Sequence, residues 1–177
     1  MLSLGNTYDI QEVTEFVARV SKALSQPPGF YCELKIDGTA LELIYEKGNL
    51  AAAVTRGSGE EGENITHNAR MITQIPLKLP KPIDVCVYGE IYFTQEQFEA
   101  VNQQRSKQKL PVFANPRNAA SGTLRTLDAG DVKRRHLSFF GYDLYDPHQH
   151  LNLKTQQEVI ATLKQFQFPT PPHSALS

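Results

Sequence analysis

The sequence predicts an α+β fold, with mixed or antiparallel β-sheets flanked by helices, on three observations. Runs with strand-like alternation, clearest at residues 84–93 and 137–145, are interrupted by isolated helical patterns rather than by a regular βαβ series. No internal repeat or low-complexity block breaks the chain into smaller modules. Its 177 residues are 40% apolar and 21% charged, enough to bury one proper core and too balanced for a disordered, collagen-like or coiled-coil chain.

The elements follow in order. Ile10, Val13, Phe16, Val17, Val20 and Leu24 recur at helical spacing, and Asp9 with Glu12 marks a helix start. Gln26, Pro27, Pro28 and Gly29 stop that helix. From Phe30 to Arg56 the chain reads as strands, with Lys47, Gly48 and Asn49 as a hairpin turn and alternation clearest at Leu41, Leu43 and Tyr45. RGSGEEGE is a loop, NITHNARMIT a short helix and IPLKLPKP a connector. Val85, Val87 and Ile91 then alternate with Cys86, Tyr88, Glu90 and Tyr92 as a strand. Thr94 with Gln97 is a capping box for a helix carrying Phe98 and Val101, and Asn115 before Pro116 opens another. LSFFGYDLY reads as an aromatic strand in which Phe139 and Phe140 are core; Val159, Ile160, Leu163 and Phe166 give a final helix. This divides the chain into a helical entry segment (1–28), a core (29–168) and an extended tail (169–177).

A formal net charge of −1 argues against a module that binds nucleic acid through bulk positive charge, while leaving local basic patches open. Cys32 and Cys86 lie in apolar, strand-like runs and read as buried thiols in a reducing compartment. No apolar stretch approaches membrane-spanning length, and the N-terminus lacks the pattern of a signal peptide. A cytoplasmic protein with no membrane association is expected.

The sharpest chemical feature is CELKIDG. Period 2 along a strand would set Glu33, Lys35 and Asp37 on one face, with Gly38 opening the turn. One reading is a surface ion-pair ladder. The other makes Lys35 a nucleophile, which requires its neutral amine. Neighbouring carboxylates favour the ammonium form, so that reading implies a partly buried pocket supplied with cations or a metal. Arg117 and Arg125 lie eight apart on the helix expected from Pro116, about two turns on nearly one side. They read as a two-point phosphate clamp or as a solvated helix face. The basic run Lys133, Arg134, Arg135, His136 is either a DNA-backbone contact or a solvated turn. His148 and His150 have no cysteine or carboxylate at ligand spacing, so no metal site is assigned.

ELKIDG, TRGSGEEGENIT, GEIY, VFANPRNAASGTLRTLD and LSFFGYDL, in this order and spacing, resemble the nucleotidyltransferase (adenylation) domain of bacterial NAD-dependent DNA ligases, an ATP-grasp-like ligase architecture. The resemblance runs from about Met1 to about Phe168. It implies that Lys35 attacks the α-phosphorus of NAD, expels nicotinamide mononucleotide and holds AMP as a phosphoramide, with Mg²⁺ and arginines stabilising the phosphate. The AMP then serves to seal nicks in double-stranded DNA. Asp37 matches the residue that orients the lysine or acts through metal-bound water, and Glu33 a nucleotide-contacting carboxylate. Arg56 and Glu90 match ribose contacts, and Tyr142 matches the aromatic that stacks on adenine. Ser3 and Leu4 match the entry segment near the nucleotide. Arg117 and Arg125 match ligands of nucleotide or DNA phosphates.

This chain departs from the family pattern in carrying Ser58 where an aspartate is usual and Tyr88 where an arginine is usual. A later strand motif of the type DGVVIK and a further lysine are missing from the sequence, so the resemblance implies a C-terminally incomplete domain. Two alternatives stay open: an ATP-dependent nucleotidyltransferase relative, such as an RNA ligase or capping guanylyltransferase, and a non-catalytic nucleotide-binding or DNA-docking fragment.

Overall fold

The computed structural model describes residues 5–24, 28–57 and 61–176. The chain divides into two compact units, residues 1–33 with 172–177, and residues 34–171.

In the first unit, α1 (Ile10–Ala23) is opened by Asp9, whose side chain accepts from the Glu12 N–H at 2.9 Å. The Glu12 carboxylate reaches back to accept from the N–H of Tyr8 at 2.7 Å, which ties the residue before the cap to the first turn. Phe16 on the apolar stripe meets Phe30 at 6.2 Å between ring centres. Phe30 begins β1 (Phe30–Glu33), which runs antiparallel to β6, the element formed by His173–Leu176. His173–Leu176, within the stretch 169–177 expected as an extended tail, are thus a paired strand. A two-stranded ribbon cannot bury both its faces, which explains why Cys32 is exposed instead of buried.

The second unit is built on a four-stranded antiparallel sheet in the order β3-β2-β4-β5: β2 (Thr39–Glu46), β3 (Asn49–Thr55), β4 (Val85–Tyr92) and β5 (Ser138–Tyr145). The β2–β3 hairpin turns through Lys47 and Gly48, with φ of 47° and 76°. Positive φ at both central residues gives the turn the twist of its flanking strands. Gly48 is also required by space, since a Cβ there would lie 2.5 Å from the carbonyl oxygen of Lys81.

One face of this sheet is core. Leu41, Leu43, Val87, Ile91 and Phe139 are fully buried, and each such side chain stabilises the fold by about 1.5–3 kcal/mol. Helix α6 (Gln156–Gln165) covers β5 with Ile160 and Leu163, and the chain beyond it adds Phe166 and Phe168. Phe168 meets Tyr45 edge-on at 6.0 Å and Phe139 at 5.9 Å. The Tyr45 hydroxyl, buried with its ring, donates to the Pro76 carbonyl at 2.7 Å, a bond that fastens the proline-spaced connector.

Four further helices complete the unit: α2 (Thr66–Ala69), α3 (Gln95–Lys107), α4 (Pro116–Leu124) and α5 (Ala129–Arg135). Thr94 and Thr155 form the capping boxes of α3 and α6, and Asn115 caps α4 through the Asn118 N–H at 2.8 Å with Pro116 at the first helical position. Helix α5 has no counterpart in the sequence reading. Its signal is confined to seven residues, with Asp128 capping the Gly130 N–H at one end and His136 in the left-handed region at the other.

The opposite face of the sheet is open. Cys86, Tyr88, Glu90 and Tyr92 of β4 all point to it and are half-buried, alternating with the fully buried residues between them. Phe140 belongs to this open face and not to the core, stacked on Tyr92 at 4.7 Å and 20° between ring planes. Cys86 is half-buried.

Candidate active site

The residues that carry chemistry gather where this open face meets the loop before β2. Strand pairing ends at Glu33, and residues 34–37 form no ladder. The expectation that Glu33, Lys35 and Asp37 share one strand face therefore fails: alternation fixes a face only where a partner strand holds the pleat. Lys35 and Asp37 lie on an exposed loop that Gly38 closes against β4, so the described residues do not bury Lys35 in the pocket expected of a neutral amine, and of that expectation only the nearby cation, Arg117, is met.

That closure is tight. The N–H of Gly38 donates to Glu90 Oε1 at 3.1 Å, and a Cβ at position 38 would lie 2.1 Å from the carbonyl oxygen of Ile91. Only glycine lets the loop come so near the strand. Asp37 Oδ1 accepts from Arg117 Nη1 at 3.1 Å, which ties the loop to the first turn of α4. Both side chains are mostly exposed, at 76% and 63%, so this pair contributes only ~0–1 kcal/mol to stability. Holding two charged groups beside Lys35 is its main effect.

Glu90 is the electrostatic centre. Burial pushes its carboxyl above the usual range; Lys35, the Gly38 N–H and Arg117 pull it back, and Asp37 pushes it up again. All four groups of the motif loop and of α4 thus act on one carboxylate. Directly across from Glu90 stand Ala40 on β2 and Phe140 on β5. The N–H of Arg56 donates to the Ala40 carbonyl at 3.3 Å, which brings Arg56 to the same end of the sheet.

Tyr142 reaches the site through a β-bulge. Tyr88 pairs with Asp143 while Gly89 pairs with Gly141, so Tyr142 is an extra residue without a partner on β4. Burial raises its hydroxyl to about 12, with Glu90, Asp143 and Tyr88 adding to the rise and Arg56 opposing it. Tyr142, Glu90 and Arg56 are accordingly neighbours.

The next row of the same face holds Glu42 opposite Tyr88. Tyr88 is pushed to about 12 and the Cys86 thiol to about 11, in both cases by burial first and then by the nearby Glu42 carboxylate. This row is rich in acceptors and poor in cations, whereas Lys35 and Arg117 cluster beyond Glu90. The face is graded from a carboxylate and phenol end to a cationic end.

Arg125 caps α4 instead of lying within it. Its Nε donates to Glu63 Oε2 at 2.5 Å, and Glu63 is itself tied to the end of β3 by its N–H to Thr55 Oγ1 at 3.0 Å. In place of two free arginines, α4 carries two that are each held by a carboxylate from elsewhere, Asp37 and Glu63. Sequence reasoning missed Glu63, Glu42 and Asp143; only strand register and tertiary approach reveal them.

Glu33 ends β1 in the first unit, where it raises the hydroxyl of Tyr31 in second place to burial. Ser3, Leu4 and Ser58 fall outside the described residues. The basic run lies on α5, where Arg134 pairs with Asp128 and Asp131, and Arg135 with Asp131 and Thr123; Lys133 and His136 are exposed. His148 lies 3.7 Å from Asp84. Among the described residues no group of three His, Cys, Asp or Glu side chains could hold a metal by itself, and no helix is long and apolar enough to cross a membrane.

Comparison with known proteins gives this arrangement a context. A family model of the NAD-dependent DNA ligase adenylation domain matches residues 1–177. A DNA ligase of Thermotoga maritima is 46% identical over 177 residues, 99% of this chain and 26% of the relative. One of Petrotoga mobilis is 47% identical over 174 residues, 98% of this chain and 26% of the relative. One of onion yellows phytoplasma is 46% identical over 175 residues, 98% and 25%. The chain spans about a quarter of the length of the curated relatives it matches.

Proposed function

This chain belongs to the family of NAD-dependent DNA ligase adenylation domains, and from that premise we propose that Lys35 takes AMP from NAD in the first step of sealing nicked double-stranded DNA. The observation that carries the reading is convergence: Lys35, Asp37, Arg117, Glu90, Arg56 and Tyr142 meet at one end of one sheet face although they are spread over a hundred residues of sequence.

The charge gradient orients the substrate. An adenosine offers hydrogen-bond donors from its ribose and base, which suit the acceptor-rich end, while its phosphates suit Lys35 and Arg117. Tyr142 stacks on the base, and Glu90 accepts from the ribose hydroxyls with Arg56 beside it. The Nζ lone pair of Lys35 attacks the α-phosphorus; the P–N bond forms, the P–O bond to nicotinamide mononucleotide breaks, and the lysine's proton leaves to water or to Asp37. Arg117 stabilises charge on the phosphate oxygens. The exposed oxygens of Asp37 fit Mg²⁺, a hard cation that is bound through one or two carboxylates with water and substrate phosphate. When bound it would supply Lewis-acid stabilisation of the phosphate. Arg125, about 12 Å further along the helix by its rise of 1.5 Å per residue, meets a phosphate of the DNA backbone. The family match further makes Glu33 a nucleotide-contacting carboxylate and assigns Ser3 and Leu4 to the entry segment near the nucleotide, and the setting is the cytoplasm.

Intact mass after incubation with NAD and Mg²⁺, or with ATP and Mg²⁺, tests the reading. Gain of one AMP from NAD alone, lost in Lys35→Ala, is the expected result. An adduct from ATP but not NAD, or one that survives Lys35→Ala, overturns it. Tight AMP binding without any adduct in this chain or in the complete ligase would favour the non-catalytic alternative.

A further inference from the structure

We propose that Asn68 is a positioning residue for Arg125, acting on the backbone to either side of it. The inference rests on the reading of Arg125 as a ligand of a DNA backbone phosphate. Asn68 lies on α2 and is 8% exposed. Its amide nitrogen donates to the Leu124 carbonyl at 2.7 Å and to the Thr126 carbonyl at 2.9 Å. Those are the residues immediately before and after Arg125. A primary amide has two N–H donors, and here both serve this one turn.

The turn needs such help. At a helix C-terminus the last carbonyls have no partner within the helix, and Arg125 occupies the cap position. Its own N–H is shared between the Ser121 carbonyl, at 3.3 Å, and that of Thr123, which leaves the carbonyls of Leu124 and Thr126 to be met from outside the helix. Without Asn68 two carbonyls beside a mostly exposed arginine would turn to water, and the guanidinium would sample many directions. With Asn68 the cap is bolted to α2. Glu63, five residues earlier on the same segment, takes the guanidinium at 2.5 Å. One short stretch of chain therefore fixes both the backbone and the side chain of Arg125, by groups that touch no reacting atom.

The test measures binding of a fluorescent nicked duplex to the full chain over a range of salt concentrations, for the parent, Asn68→Ala, Arg125→Ala and the double variant. Loss of one phosphate contact weakens binding and lowers the slope of log K against log salt by about 0.9. Arg125→Ala should show this, Asn68→Ala should weaken binding by about fivefold with a lower slope, and the double variant should match Arg125→Ala alone. A merely structural asparagine would leave the slope at the parent value. Asn68→Ser keeps one donor and should fall between; it takes over the comparison if Asn68→Ala does not fold. If Arg125→Ala binds like the parent, the phosphate reading falls and this inference with it. If Arg125→Ala is weakened but a folded Asn68 variant keeps the parent affinity and slope, or the two losses add, the inference alone is overturned.

Discussion

Replacing Gly38 by alanine perturbs the site at its most constrained point. The new Cβ would start 2.1 Å from the Ile91 carbonyl oxygen and 3.0 Å from Glu90 Cγ. Since Cβ contacts under 3.0 Å are essentially never tolerated, either the 34–38 loop or β4 must retreat by roughly 1 Å, and overpacking of this kind costs about 1–3 kcal/mol. β4 is a central strand paired on both sides, so the loop is the part that moves. Its retreat breaks the Gly38 N–H bond to Glu90, and hydrogen bonds to charged groups are worth about 1.5–3 kcal/mol. Together the two effects come to about 4 kcal/mol, a large share of a domain's stability. With a urea m-value of about 2 kcal/mol per molar, the unfolding midpoint should drop by about 2 M. Displacement of Lys35 and Asp37 should also abolish the AMP adduct. A Gly38→Ala variant with the parent's midpoint and the parent's adduct yield would refute the claim that this close approach organises the site.

Arg117→Ala removes an exposed ion pair and should change stability by less than about 1 kcal/mol while sharply reducing adduct formation; urea melts and intact mass separate the two effects. Glu90 has its carboxyl raised by burial, so the folded chain keeps a proton that the unfolded chain has already lost, and the parent's stability falls as pH rises from the ordinary carboxyl range through the raised value. Glu90→Gln keeps an acceptor for Gly38 and should flatten that fall, being at least as stable as the parent at neutral pH while losing ribose binding, as denaturation at acid and neutral pH would show. Tyr45→Phe strands the Pro76 carbonyl and should cost about 1–3 kcal/mol in the same melts. Alkylation at mildly alkaline pH should label exposed Cys32 quickly and leave Cys86, held up to about 11, largely unmodified; peptide mapping by mass reads this directly.

What the sequence made legible is local. Val85–Tyr92 alternates as its residues demand, the capping residues Asp9, Thr94 and Asn115 open the helices they precede, and Lys47–Gly48 turns the hairpin. Family motifs named Glu90, Arg56 and Tyr142, and the fold brings these three together. What stayed hidden depends on approach between distant segments. Asp37 and Arg117 are 80 residues apart, and Glu63 and Arg125 are 62 apart, so no periodicity connects them. Phe140 looked like core because aromatic residues in a strand usually are, yet register places it beside Tyr92 on the open face. Helix α5 was too short for its pattern to rise above its charge, and β6 becomes a strand only by finding β1.

The single unpaired residue of β5 links chemistry to the history such a fold can have. Because Gly141 and Asp143 already face consecutive positions on β4, losing the codon for Tyr142 would leave an uninterrupted ladder and a straighter, sounder sheet. The aromatic ring survives there only as long as something selects for what it does. On the proposed reading of Tyr142 as the ring that stacks on the base, a descendant that no longer bound nucleotide would be expected to mend this strand first, and the length of β5 would then mark which copies had retired.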